Sequence, residues 1–200
     1  MSTRNRTSLN IIGYGLYLYF LGLSFRSTAK ALTFLKITKI SHVSIWKWIQ
    51  KYKPKEGHKK KKILEYIIDE TAIKIGSELI WVWIVIEPTD KEILSFHISK
   101  KRNMFIAERF LSNVIEKYGK HLVSSDGGTW YPQACRFLKL VHHLHSSFEK
   151  SIIERTIQYI KDRTECFDDY FPCKKNKCKL KHVNQWLNLF IGQYNKEIIS

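Results

Sequence analysis

The segment that decides the fold is ILEYIIDETAIKI, residues 63–75, a run rich in Ile with the carboxylate of Asp69 in its middle. Two further runs of Ile, Val and Trp follow at residues 79–86 and 93–98, and Gly-Ser and Pro-Thr-Asp segments separate the runs. β-Branched and aromatic residues favour strands, and Gly, Ser, Pro and Asp favour the turns between them. We therefore predict three consecutive strands that form a meander.

Downstream of the meander, helical and extended patterns alternate. The predicted elements are a helix over 104–118, a strand over 121–125, a helix over 131–138, a strand over 140–144, and helices over 148–164 and 182–199. Three strands followed by helix, strand, helix, strand and helix is the order of an α/β domain of the RNase H-like type. The order is compatible with the RNase H-like fold without being unique to it, and we predict a mixed-sheet α/β domain over residues 63–200.

Upstream of residue 63 the charge is strongly one-sided. The 200 residues carry 34 Lys and Arg against 18 Asp and Glu, a formal net charge of +16, yet Glu56 is the only acidic residue within 1–62. A basic segment that lacks carboxylates favours a polyanionic partner such as nucleic acid. The alternative is a solvated surface that only aids solubility.

The apolar run at residues 9–25, preceded by Arg4 and Arg6, is similar to a signal peptide. Polar and small residues, among them Asn10 and Gly13, interrupt this run, which is shorter than the roughly 20 residues that a membrane span needs. We therefore predict a packed first helix and no membrane association. The cysteines are expected to be reduced, in a cytoplasmic, nucleoid-associated protein.

Two further short helices are predicted over residues 25–35 and 41–52, with Ser41 as the N-cap of the second of them. The residues expected to face inward are Ala29, Leu32, Leu35, Val43, Trp46 and Ile49. The residues expected to face outward and contact DNA are His42, Ser44, Lys47, Gln50 and Lys51. A basic outer face on the last of three short helices is typical of a helix-turn-helix, although a helical bundle without DNA contacts is the alternative.

A Lys-rich segment with almost no apolar residues, 54–62, separates the two patterns. Such a composition is typical of a linker between domains. We predict an all-α helix-turn-helix domain over 1–53, a basic linker over 54–62 and the mixed-sheet domain after it.

Three carboxylates stand where a metal site needs them. Asp69 interrupts an apolar strand, Asp126 follows the strand over 121–125 and precedes two glycines, and Glu154 lies on a late helix. Each alone has a structural explanation: a strand end, an Asp-Gly turn, a solvated helix face. Together they are suited to hold two divalent cations, Mg²⁺ or Mn²⁺, which prefer oxygen ligands and support in-line displacement at phosphorus.

The motifs resemble, in order, those of the small prokaryotic DDE transposases of the insertion sequence six group, and are most similar to archaeal members. The matching segments are Gly22-Leu23-Ser24-Phe25-Arg26, Ser41 to Gln50, Asp69-Glu70-Thr71, Ser125-Asp126-Gly127, Ile153-Glu154-Arg155-Thr156, Lys161-Asp162-Arg163-Thr164-Glu165 and Phe167-Asp168-Asp169-Tyr170. The resemblance implies that residues 63–200 form an RNase H-like mixed-sheet catalytic domain. It implies that Asp69, Asp126 and Glu154 form the catalytic triad of that domain and bind the metals. It also implies that Lys161, seven residues after the glutamate, contacts DNA, and we expect the same of Arg155.

The function that this resemblance implies is metal-dependent cleavage at the ends of an insertion sequence followed by strand transfer. The implied partners are double-stranded DNA, as terminal inverted repeats and as target, and a second copy of the chain in a homodimer or higher oligomer. The alternatives are a catalytically inactive DNA-binding relic, a recruited regulator, and a nuclease such as a resolvase.

Weaker signals remain at three places. Glu149 is the nearest rival of Glu154, and the histidines at 142, 143 and 145 either assist the site or are structural. Zinc is a further alternative, at Cys166, Cys173, Cys178 and His182. Their spacing lacks the tight cysteine pairs of a strong zinc motif.

Overall fold

The computed structural model describes residues 7–52, 62–75, 77–165 and 179–199. Its elements, in chain order, are α1 (Leu9–Phe20), α2 (Phe25–Phe34), α3 (His42–Lys51), β1 (Glu65–Ile75), β2 (Glu78–Ile86), β3 (Ile93–Ser99), α4 (Met104–Tyr118), β4 (Leu122–Ser125), α5 (Trp130–Phe137), β5 (His142–Leu144), α6 (Ser147–Glu165) and α7 (Leu180–Ile199). All the elements expected from the sequence are present, and most bounds agree within two residues.

The five strands form one mixed sheet in the order β3-β2-β1-β4-β5. β1, β2 and β3 pair antiparallel as the predicted meander, whereas β4 pairs parallel with β1 and β5 parallel with β4. This is an RNase H-like mixed α/β fold preceded by helices, and the fold-class prediction is confirmed.

One face of the sheet is covered by α4 and α5. Tyr66 and Ile68 of β1 and Trp83 of β2 pack there with Phe110 of α4 and Tyr131 of α5 in one buried cluster. Because successive strand residues point to opposite faces, Asp69 points away from this cluster while Glu70 points into it.

The described residues fall into two compact units, and the division does not follow the chain in a simple way. Residues 7–52 and 181–194 belong to the first unit, and residues 62–75, 77–165, 179–180 and 195–199 belong to the second. The predicted domain limits, 1–53 and 63–200 with a linker at 54–62, stay a prediction. Sequence reasoning did not find that most of α7 is grouped with the first three helices.

Aromatic residues of α1 and α7 build the core of the first unit. The Trp186 indole N–H donates to the Tyr19 hydroxyl at 3.1 Å, and the Phe20 ring packs edge-on against Trp186 with centroids 5.4 Å apart. Phe190 stacks on Trp186 at 5.1 Å. The aromatic side chains of α7 therefore add buried apolar surface to the core that the three short helices form.

The predicted inner face of α3 is partly wrong. Ile45 and Ile49 are fully buried, whereas Val43 is 43% exposed. The buried face of α3 is defined by these two isoleucines, which are spaced i, i+4. The ring of Trp48 lies beside this face, close to Gly15 of α1. Leu35 is also exposed instead of inward-facing, because α2 ends at Phe34.

Across the described residues, no helix has both the length and the apolar character that crossing a membrane requires. The apolar run near the start of the chain folds as α1, which has only 12 residues.

Candidate active site

The sheet register brings Asp69 and Asp126 together. Ile68 of β1 pairs with Ser125, the last residue of β4, in the parallel ladder. Asp69 is the next residue of β1, and Asp126 is the first residue after β4. Asp126 begins a turn in which the Gly128 amide donates to its Oδ1 at 2.9 Å, and Gly127 adopts a positive φ of 85°. The turn therefore leaves the Asp126 carboxylate exposed beside the half-buried Asp69.

The Asp69 carboxyl lies in a strongly anionic environment. Burial, together with the charges of Glu70 and Asp126, raises the pKa of Asp69 to about 7. The Glu70 amide, which donates to Asp69 Oδ1 at 2.7 Å, and the Arg102 guanidinium act in the opposite direction without cancelling the rise. A carboxyl whose ionised form is disfavoured by burial and by like charges fits a position that binds a divalent cation.

Glu70 is the centre of a polar cluster on the opposite face of β1. Its side chain is fully buried and forms an ion pair with Arg102, whose Nε donates to Glu70 Oε1 at 2.6 Å. The Tyr131 hydroxyl and the Trp130 indole N–H donate to the other oxygen, Oε2. The Arg102 guanidinium lies over the rings of Trp81 and Trp130, at 4.6 and 4.1 Å from their centroids. We call these five residues the Glu70 cluster.

Glu154 lies on α6, which packs against β1. Ile153, Ile157 and Ile160 form the buried face of this helix. The Glu154 carboxylate is exposed, 3.9 Å from the Lys150 ammonium, and is not among the charges that act most strongly on Asp69. The structure thus brings the two aspartates together, and the assignment of Glu154 as the third ligand stays a prediction.

The basic residues expected beside the site lie on the same helix. Arg155 is exposed and donates to the Ser151 carbonyl at 3.1 Å and to its hydroxyl at 2.7 Å. Lys161 is half-buried. Their predicted contacts with DNA stay predictions.

Glu149, the rival of Glu154, is buried in a different environment. His143 Nε2 lies 2.9 Å from its Oε1, and the Ser146 amide donates to its Oε2. Burial acts to raise the pKa of Glu149, but the hydrogen bonds from Ser146 and His143 lower it to about 2. Glu65 completes the group, and one ligand atom from each of Glu65, His143 and Glu149 lies within 4.8 Å of the others.

Sequence reasoning missed Glu65, although a signal was available. Glu65 lies four residues before Asp69 on β1, so the alternation of side chains places both on one face. The other two histidines, His142 of β5 and His145 directly after it, form hydrogen bonds with serines of β4. His142 lies 2.8 Å from Ser125, and His145 lies 2.7 Å from Ser124.

The residues of α3 that were expected to contact DNA differ in exposure. His42, Lys47 and Lys51 are exposed, whereas Ser44 and Gln50 are half-buried. Cys166, Cys173 and Cys178 of the possible zinc site lie outside the described residues, and His182 lies on α7. The helix-turn-helix and the zinc alternative both remain untested.

Similarity to known proteins extends over most of the chain. Residues 64–189 match a family model described as a DDE domain, that of the insertion sequence six group of transposases. The uncharacterized protein MJ0017 of Methanocaldococcus jannaschii is 32% identical over 194 residues, which cover 96% of this chain and 88% of that protein.

Among solved structures, the chain is similar to one in the simian T-cell lymphotropic virus intasome bound to the PP2A regulatory subunit B56 gamma. The TM-score is 0.50 at 17% identity, over 81% of this chain and 66% of that one, so the match spans slightly less than two thirds of the viral chain. A catalytic core domain of HTLV-2 integrase, solved with magnesium in a dimeric form, has a TM-score of 0.47 at 16% identity over 64% of this chain and 83% of that one. At these identities the likeness concerns the fold alone.

Proposed function

This chain belongs to the DDE transposases of the insertion sequence six group, and from that membership we propose that it cleaves DNA at the ends of an insertion sequence and joins those ends to target DNA. The observation that carries the proposal is the adjacency of Asp69, in the middle of β1, to Asp126, at the carboxyl end of the parallel strand β4. Ligands of α/β sheets commonly bind at such strand ends.

Asp69, Asp126 and Glu154 would hold the divalent cations, Mg²⁺ or Mn²⁺, for which carboxylate oxygens are suitable ligands. When bound, two such ions activate a water or a 3'-hydroxyl and stabilise the departing oxygen of a displacement at phosphorus. The protein itself orients the carboxylates: the Glu70 amide holds Asp69, and the Gly128 amide holds Asp126.

The DNA would be bound by basic residues in both units. In the first unit, the exposed His42, Lys47 and Lys51 on α3 would contact the terminal inverted repeats. In the second unit, Arg155 and Lys161 on α6 would bind phosphates beside the metals. The net charge of +16 supports such contacts with a polyanion.

Transposition joins two ends to one target, so we propose that the active species is a homodimer or a higher oligomer. The DNA substrate places the reaction in the cytoplasm, at the nucleoid.

The experiment that tests the proposal is a strand-transfer assay with Mg²⁺ or Mn²⁺ on DNA that bears the terminal repeats of the insertion sequence. Wild type is compared with Asp126→Asn and Glu154→Gln, and Glu116→Gln removes an exposed carboxylate of α4 as the matched control. We expect joined products from wild type and Glu116→Gln, and none from the other two variants. A wild type that binds the ends but neither cuts nor joins them would favour the inactive relic or regulator instead.

The role of α3 is tested separately by the salt dependence of DNA binding. Lys47→Ala should weaken binding to the terminal repeat and reduce the slope of log affinity against log salt by about one. Lys139→Ala changes an exposed lysine of the second unit and serves as the control. Equal effects of the two substitutions would show that only overall charge matters.

A further inference from the structure

The Glu70 carboxylate is the most enclosed charged group beside the candidate site. Its side chain has no exposed surface, and three donors from two separate parts of the chain contact it. A buried carboxylate is tolerated only when it is paired and hydrogen-bonded. The conditions are met here by one ion pair and by hydrogen bonds from three side chains.

The partners of Glu70 belong to two different parts of the second unit. Tyr131 and Trp130 are the first two residues of α5, and the turn that precedes them carries Asp126. Arg102 precedes Asn103, the N-cap of α4. Glu70 itself follows Asp69 on β1. One carboxylate therefore connects the strand that bears Asp69 to the segment that bears Asp126.

The Tyr131 hydroxyl is also affected by the charges of the nearby carboxylates. Burial, followed by the charge and the hydrogen bond of Glu70 and the charges of Asp69 and Asp126, raises the pKa of the Tyr131 hydroxyl well above its ordinary value. The carboxylate that this hydroxyl contacts is that of Glu70. Two carboxylates that repel each other need a rigid support if their spacing is to suit cations, because misplacement by about 1 Å costs much of the rate. The turn at Asp126 is short and partly exposed, and its own bonds are local.

On the basis of the proposed function, we propose that the Glu70 cluster is a positioning device that holds the Asp126 turn at a constant distance from Asp69. Glu70 and Tyr131 form the connection, and Arg102, held between Trp81 and Trp130, keeps the Glu70 carboxylate paired. None of the five residues contacts the reacting atoms in this role, and they act through Asp69 and Asp126.

The test uses Tyr131→Phe, which removes the hydroxyl that bonds to Glu70 and keeps the buried ring. Tyr66→Phe is the matched control, because Tyr66 is equally buried in the same cluster and its hydroxyl donates instead to the Gly119 carbonyl at 2.8 Å. The first measurement is amide hydrogen exchange at Gly127 and Gly128. The second is the rise of Tm on addition of Mn²⁺, with Asp126→Asn as the baseline.

In Tyr131→Phe we expect exchange at the two glycines to become about three- to tenfold faster, and the affinity for Mn²⁺ to fall by a similar factor, as the loss of one hydrogen bond predicts. Tyr66→Phe should lower Tm without changing either quantity. Arg102→Lys, at a partly exposed position, keeps the charge but loses the paired donors, and should give the same direction of change if Tyr131→Phe does not fold.

The positioning role would be overturned if Tyr131→Phe showed the exchange rates and the Mn²⁺ response of wild type. It would also be overturned if Tyr66→Phe changed both quantities as much as Tyr131→Phe does. A wild type without any Mn²⁺ response would contradict the proposed metal site, whereas faster exchange at the glycines in Tyr131→Phe would still support the connection to the turn. Failure of the positioning role and failure of the proposed function are therefore distinguishable.

Discussion

Ile68 pairs with Ser125 across the parallel ladder between β1 and β4, and this register makes the two residues that follow, Asp69 and Asp126, neighbours across the sheet. A slip of one residue would move Asp69 to the opposite side of the sheet from Asp126. The apolar residues that alternate with Asp69 oppose such a slip, because Tyr66 and Ile68 would then leave the core.

Removal of either aspartate should abolish catalysis and preserve the fold. For Asp69→Asn and Asp126→Asn we expect strand transfer to fall by several orders of magnitude, as for groups that act as a unit. Circular dichroism should show an unchanged secondary structure in both. Residual activity near the wild-type level in either variant would remove that residue from the site.

Stability of the metal-free protein should depend on pH through Asp69. The folded pKa of about 7 lies above the ordinary Asp pKa of 3.8, so the folded state binds the extra proton and stability falls as pH rises between these values. Relative to Asp69→Asn, wild type should lose up to about 4 kcal/mol of unfolding free energy between pH 4 and pH 8. Urea unfolding in EDTA at both pH values measures this, and a constant difference between the proteins would contradict it.

Substitution of Glu154 should affect activity, whereas substitution of Glu149 should affect stability. Glu154→Gln alters an exposed side chain, so we expect Tm to stay the same while strand transfer is lost. Glu149→Gln disrupts a buried carboxylate bonded to Ser146 and His143, which should cost roughly 2 kcal/mol of stability. If Glu149→Gln were inactive with an unchanged Tm, Glu149 would replace Glu154 as the candidate third ligand.

A methyl group at position 15 should destabilise the first unit. A Cβ at Gly15 would lie 2.8 Å from Trp48 Cζ3 and 3.3 Å from Leu32 Cδ1, so Gly15→Ala should cost about 1–2 kcal/mol. Gly13 of the same helix has nothing within 4 Å, and Gly13→Ala should stabilise by about 0.5–1 kcal/mol. Thermal unfolding of the two variants measures both effects, and effects of the same sign would contradict the close approach of α1 and α3.

The amino-terminal helices should not fold without α7. A peptide of residues 1–53 lacks Trp186 and Phe190, which cover Tyr19 and Phe20, so it should unfold without cooperativity. The same peptide joined by a flexible linker to residues 181–194 should show a cooperative transition. Cooperative unfolding of 1–53 alone would show that the three helices suffice.

Local patterns predicted the elements well, because they depend on neighbours in the chain. The strand pattern around Asp69 and the helix over 104–118 could be identified from periodicity alone. The family resemblance also predicted the fold class, and the sheet order confirms it.

The features that the sequence did not predict depend on partners distant in the chain. The inner face of α3 follows the contact of Trp48 with Gly15 of α1. The group of Glu65, His143 and Glu149 draws ligands from β1, β5 and α6. Nothing in the local spacing of these residues indicates which distant segment will contact them.

The hydrogen bond between Trp186 and Tyr19 also has a consequence for the timing of synthesis. Its partners lie 167 residues apart in the chain, and at about 5–20 residues per second Tyr19 is made roughly 8–30 s before Trp186. Throughout this interval the aromatic face of α1 lacks its native cover and is exposed to chaperones and to other nascent chains. The first unit is completed only after the whole sheet has been translated, so any DNA affinity of its native form belongs to the finished chain.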